Sequence, residues 1–135
     1  MKFPLWLDVY GDQSFRGKCP PESAEQITFF SKIRREYPDT WGRICLHPRN
    51  EGQRRHAQTS RQKAEGMCPG AADIIIPGAP SWVCELKRQD HTKCKFEPEQ
   101  LAFLEISKKS GACVGVALGW VCAWEFFLHY IREKS

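Results

Sequence analysis

The sequence has seven cysteines but no Cys-x-x-Cys pair, and the seven stand singly at positions 19, 45, 68, 84, 94, 113 and 122. An odd number in that spacing argues against both a zinc ribbon and a disulfide framework. Cys45, Cys84, Cys113 and Cys122 lie in apolar runs, where a thiol behaves as a small hydrophobe. His91 and Cys94 form a possible ligand pair, but no second pair partners them. Reduced thiols are expected. No run approaches the roughly 18 apolar residues that cross a bilayer, and residues 1–8 hold too short an apolar run for a secretory segment. A cytoplasmic protein with no membrane attachment is the expectation. Neither Gly-x-x-x-x-Gly-Lys-Ser/Thr nor Gly-x-Gly-x-x-Gly occurs, so nucleotide-cradling loops have no support. Internal repeats and low-complexity linkers are missing too. At 135 residues the chain is the size of one domain with a sizeable core.

Charge is present but unevenly placed. Between positions 43 and 65 lie Arg43, Arg49, Arg54, Arg55, Arg61 and Lys63 against Glu51 and Glu65, a surplus equal to the net +4 of the whole chain. Such a patch suits contact with a phosphate backbone, or it is a solvated arginine-rich loop.

Residues 1–20, with Pro4, Gly11, Gly17 and Pro20 and no clear period, read as an irregular arm packed through Phe3, Leu5, Trp6 and Tyr10. The remainder, 21–135, reads as the domain. A first helix begins near Pro21, with Glu22 and Glu25 complementing its N-terminus, and stops at Pro38-Asp39. Residues 43–47 read as a short strand, and 59–65 as a short helix ending at Gly66. A second long helix opens at Pro98, with Glu97, Glu99 and Gln100 around its first turn. Residues 112–118 make a strand interrupted by Gly115, which would allow another backbone to approach. The last helix, 120–132, is apolar over much of its circumference and needs two burial partners. One is the sheet; the other is a second subunit or a deep monomer core.

The stretch from 70 to 87 organises the rest. Asp73 enters a run of three isoleucines, a Pro-Gly-Ala-Pro-Ser turn follows, and residues 82–86 return as a second strand. Alternation puts Trp82, Cys84 and Leu86 on one face and Val83, Glu85 and Lys87 on the other. Two converging carboxylates repel unless a hard divalent cation relieves them. A neighbouring lysine can orient water or offset charge on a phosphate. Asp73, Glu85 and Lys87 are therefore either a metal-dependent phosphodiesterase site or a surface hairpin with a weak Glu–Lys pair.

Several short motifs bear on that choice: Glu22-x-x-x-Gln26, His47-Pro-Arg-Asn-Glu-Gly52, Lys63-Ala-Glu-Gly66, Pro69-Gly-Ala-Ala-Asp73, Glu85-Leu-Lys87-Arg88 and Glu99-Gln100-Leu101, followed by Gly111 and Gly119-Trp120. Their order over residues 20–132 resembles the virus-type replication-repair nuclease family, VRR-NUC, of the PD-(D/E)XK superfamily. The turn at Asn50-Glu51-Gly52 departs from the more usual Asn-Gly-Gly. The resemblance implies a single-domain α/β fold of restriction-endonuclease type. Its order is αβββαβ plus a C-terminal helix, with a mixed sheet flanked by helices.

The resemblance also implies a DNA endonuclease selective for branched or junction DNA and dependent on Mg²⁺ or Mn²⁺. Asp73, Glu85, the Leu86 carbonyl and Glu22 would be the ligands, with Glu25 the other candidate on the first helix. Lys87 would assist the attacking water, and Gln100 would support the ligands from behind or orient the substrate. Arg49, Asn50, Arg54, Arg55, Arg61, Lys63 and Arg88 would hold DNA, and a homodimer would present two sites. A non-catalytic DNA-binding module or an assembly protein of the same fold is the alternative.

Overall fold

The structure, a computed structural model, describes residues 2–48 and 56–134. The expected DNA contacts of Arg49, Asn50, Arg54 and Arg55 therefore lie outside the described residues. The elements are β1 (Val9–Tyr10), α1 (Glu22–Glu36), α2 (Trp41–Ile44), α3 (His56–Ala64), β2 (Ile74–Ile76), β3 (Trp82–Lys87), α4 (Pro98–Lys109), β4 (Cys113–Leu118) and α5 (Trp120–Glu133). A single 3₁₀ turn, His91–Lys93, lies between β3 and α4.

β-branched residues and a Pro-Gly turn make β2 and β3 an antiparallel hairpin, with Ile74 opposite Cys84 and Ile76 opposite Trp82. The α4 crossover returns the chain so that β4 runs parallel to β3, from Trp82 opposite Cys113 to Lys87 opposite Leu118. β1 adds a parallel edge beside β4, giving the order β1-β4-β3-β2. This is the expected mixed sheet with flanking helices. Among the described residues no helix is long and apolar enough to cross a membrane.

Every residue of β3 is buried because helices cover both sheet faces. Trp82, Cys84, Leu86 and Ala117 face α1 and α5, where they pack with Phe29, Ile33, Phe126, Phe127 and Tyr130. Val83, Val114, Val116 and Leu118 face Leu104 of α4 and Leu7 of the arm. The sheet is thus the middle layer of three. The polar pair Glu85 and Lys87 shares the second face with Val83 and is buried with it.

Tertiary packing changes several local expectations. Residues 43–47 do not form a strand. The Trp41 ring packs edge-on against Phe127 and Tyr130, and the turn around it becomes α2. Only Leu46 reaches the free edge of β2, exchanging both backbone bonds with Ile75 at 2.9 Å. The arm is not wholly irregular, since Val9 and Tyr10 form β1. It is anchored by buried Leu7 rather than by Leu5, which is fully exposed. Tyr10 stacks on Phe126 with ring centroids 4.5 Å apart. At Gly115 the close neighbour is a ring, not a backbone: a Cβ there would stand 2.8 Å from Phe126. Both apolar stripes of α5 find partners inside this chain, the sheet on one side and Phe29, Tyr37 and Trp41 on the other.

Candidate active site

The hairpin ladder ends at Ile74, and side chains continue it. The Asp73 N–H donates to Glu85 Oε1 at 3.2 Å, and the Leu86 N–H donates to Asp73 Oδ2 at 2.9 Å. These two bonds bring together carboxylates twelve positions apart in the chain. On a strand, the N–H and C=O of one residue point to the same side. The Leu86 carbonyl therefore faces the same edge as Asp73, while Lys87 O turns the other way and accepts from Gly119 N at 3.1 Å.

Burial sets the electrostatics. Glu85 is 2% exposed; its pKa is driven well above the ordinary carboxylate value by desolvation first and by the Asp73 charge second. Asp73 is raised as well, by burial, against the opposing pull of its bonds to Glu85 and Leu86 and of His47 and Lys87. Without a cation, two carboxyl groups this close favour keeping a proton over carrying two charges. Lys87, 3% exposed, holds its Nζ 3.7 Å from Glu85 Oε2. It donates to the Lys95 carbonyl at 2.8 Å and to Gln100 Oε1 at 3.3 Å, over the Phe96 ring at 4.6 Å.

Two acids of α1 take different jobs. Glu25 is buried, and its Oε2 accepts from the Trp120 N–H at 2.8 Å, capping α5, while Oε1 accepts from Gln89 at 3.5 Å. Glu22 is one turn nearer the helix start and lines a cavity of about 550 Å³ together with Gln26, His47, Lys63, Asp73 and Gln100. Desolvation raises its pKa, with Lys87 lowering it and Asp73 raising it again. Glu85 and Lys87 do not line this cavity; they lie behind Asp73 and Gln100. Gln100 also accepts from the Glu97 N–H at 2.9 Å, so it closes the first turn of α4 while touching Lys87.

The described members of the expected DNA-binding set are dispersed. Lys63 is on the cavity wall, and Arg61 is solvent-exposed beside Glu65 at 3.6 Å. Arg88 is half-buried and donates to the Cys19 carbonyl at 2.8 Å, with its charge acting on Glu22. Two residues given no role from sequence also belong here. His47 has Nδ1 2.7 Å from Asp73 O, and since a carbonyl only accepts, that nitrogen carries the proton. Phe96 supplies the ring under Lys87. His47 opens one of the quoted motifs without a role assigned to it, and Phe96 belongs to none of them.

A larger cleft of about 730 Å³ lies between α4 and the outer face of the hairpin, lined by residues such as Val83, Phe103 and Ile106. Its walls are mostly apolar, with Glu99 the one carboxylate among the described residues that line it. Among the described residues, no three His, Cys, Asp or Glu side chains are grouped closely enough to form a metal site as they stand.

No protein-family model matches the sequence, and no curated protein does. A solved structure described as a VRR_NUC domain protein is similar over 87% of this chain and 92% of its own, with a TM-score of 0.68 and 21% sequence identity. The chain therefore has a VRR-NUC-like fold.

Proposed function

We propose that the protein is a divalent-metal-dependent DNA endonuclease, selective for branched or junction DNA, with Asp73, Glu85 and Lys87 at its centre. The observation that carries this reading is half-buried Asp73 bonded to the strand of buried Glu85, with the Lys87 ammonium 3.7 Å from Glu85 Oε2. Two acids sharing a desolvated site weaken the fold when no cation is bound, and apolar residues of similar volume would pack at lower cost. Their presence is explained by what they bind. The name of the similar structure points in the same direction.

The donors suit a hard cation by their chemistry, two carboxylates, the Leu86 carbonyl on the same strand edge and Glu22 across the cavity, and would close together to hold it. We assign Mg²⁺ or Mn²⁺ to these residues; when bound, such an ion supplies Lewis-acid activation of water and of a phosphoryl oxygen. Glu85, freed of its proton, would help to hold the ion. Lys87 would hold the attacking water or face the charge that develops on the phosphate. Gln100 keeps that ammonium in place, and Lys63 on the cavity wall offers charge to the DNA backbone. A homodimer would set two such sites on opposite strands.

The test is incubation of the purified protein with four-way, flapped and plain duplex DNA in Mg²⁺, Mn²⁺ or EDTA. Cutting of branched DNA that needs the metal and is lost in Asp73→Asn, Glu85→Gln and Lys87→Ala is expected. Undiminished cutting by those variants would place the activity elsewhere, and DNA binding with no cutting would favour a binding module. Light scattering decides the dimer.

A further inference from the structure

The stretch that holds Lys87 has no regular structure of its own. Residues 94–97 lie between the 3₁₀ turn and α4 with no strand partner, yet they supply the closest contact to the ammonium, the Lys95 carbonyl at 2.8 Å. Next to it the Phe96 ring lies under Nζ at 4.6 Å. Two protons of the ammonium are taken by Lys95 O and Gln100 Oε1, which leaves one for the side on which Glu85 Oε2 lies.

What keeps this stretch in place comes largely from the N-terminal arm. The Phe3 ring meets Phe96 edge-on with centroids 6.0 Å apart and meets His91 at 5.1 Å. Further along the arm, the Gly17 N–H donates to Asp90 Oδ2 at 3.0 Å, and Lys93 Nζ donates to Gly17 O at 2.8 Å. His91 Nε2 lies 3.0 Å from Gln13 O, and Arg88 reaches Cys19 O. The arm is therefore tied along the whole connection from β3 to α4, and its aromatic end bears on the residue beneath the lysine.

We propose that Phe96, braced by Phe3, is a positioning residue that holds the Lys87 ammonium toward the Asp73–Glu85 pair. This rests on the reading above, in which Lys87 takes part in the reaction. The electron-rich face of the ring attracts the ammonium where water is largely excluded, which corresponds to about a 5- to 30-fold preference for the held position. Leucine at 96 fills much of the same apolar space without that face, and tyrosine retains it. The arm, which lies outside the motifs that suggested a nuclease, thereby acts on the site.

Two measurements test this on the full chain. On the DNA that the wild type cuts, Phe96→Leu is expected to lower kcat by about 5- to 30-fold with KM nearly unchanged, and Phe96→Tyr to restore most of it. Phe3→Leu should show the same split, more weakly. Independently of DNA, lysines are acylated with an amine-reactive ester and quantified by mass spectrometry. Labelling of Lys87 should rise in Phe96→Leu relative to exposed Lys109, and stay low in Phe96→Tyr. Unchanged Lys87 labelling in Phe96→Leu, or a tyrosine variant that behaves like the leucine one, would overturn the proposal. A wild type that cuts no DNA would instead overturn the proposed function, and the labelling would still decide the role of Phe96.

Discussion

Glu25 accepts a hydrogen bond from the backbone N–H of Trp120 at 2.8 Å, ninety-five positions further along the chain. That contact gives one acid of α1 to the start of α5 and leaves Glu22 facing the cavity. Glu25→Ala should cost about 1–3 kcal/mol, since it orphans a buried helix donor. Glu22→Gln should leave stability unchanged or raised while lowering cleavage. Urea unfolding and a cleavage assay on both variants separate the two roles.

The Asp73–Glu85 pair makes stability fall as pH rises when metal is absent. The folded pKa of Glu85 lies well above its usual 4.5. Between that value and the raised one, the folded state binds more protons than the unfolded state, so the pair's contribution is complete at acid pH and lost on the way up. In EDTA, Glu85→Gln should flatten this decline, because it removes the group that releases the proton. Thermal melts from acid to alkaline pH check the slope.

Adding Mg²⁺ or Mn²⁺ should raise the melting temperature of the wild type and not that of Glu85→Gln. A ligand that binds only the folded state stabilises it by mass action. Calorimetric titration of both proteins at one metal concentration reads the difference; an equal response would remove Glu85 from the ligand set.

Gly42 is required by packing rather than by backbone conformation. A Cβ there would stand 2.5 Å from Ile33 O and 2.6 Å from Tyr37 O, where α2 turns against the end of α1. Gly42→Ala should destabilise by about 1–3 kcal/mol through overpacking, readable by urea unfolding.

Lys63 and Arg88 should separate in DNA binding. Lys63→Ala, on the cavity wall, should weaken binding to all DNA forms alike and reduce the salt slope by about 1. Arg88→Ala should loosen the arm, because its guanidinium is spent on Cys19 O. Salt titrations of affinity and limited proteolysis of the arm report the two effects.

The elements legible in the sequence were those set by near neighbours. The hairpin followed from alternation across Pro77-Gly78, and α4 from Pro98 and its acids, because period and punctuation act over a few residues. The strand expected at 43–47 was not legible as a helical turn, since what decides it is the Trp41 ring against α5. Nor was the arm's strand, which exists only because β4 offers a parallel edge to Val9 and Tyr10. Of the residues proposed for the site, Asp73, Glu85 and Lys87 were readable from spacing, whereas the contact of His47 with Asp73 and that of Phe96 with Lys87 are set by tertiary packing.

The sequence alone determined the β2–β3 hairpin, the long helices around the sheet and the alternation that puts Glu85 and Lys87 on one strand face, because these depend on side-chain period and turn chemistry. Tertiary structure decided which α1 acid faces the cavity, how deeply Glu85 is buried, and what holds the lysine. Glu22 and Glu25 are equivalent first-turn acids until the N-terminus of α5 claims one of them. Lys87 is an ordinary strand residue until the Lys95 carbonyl, Phe96 and Gln100 close around it.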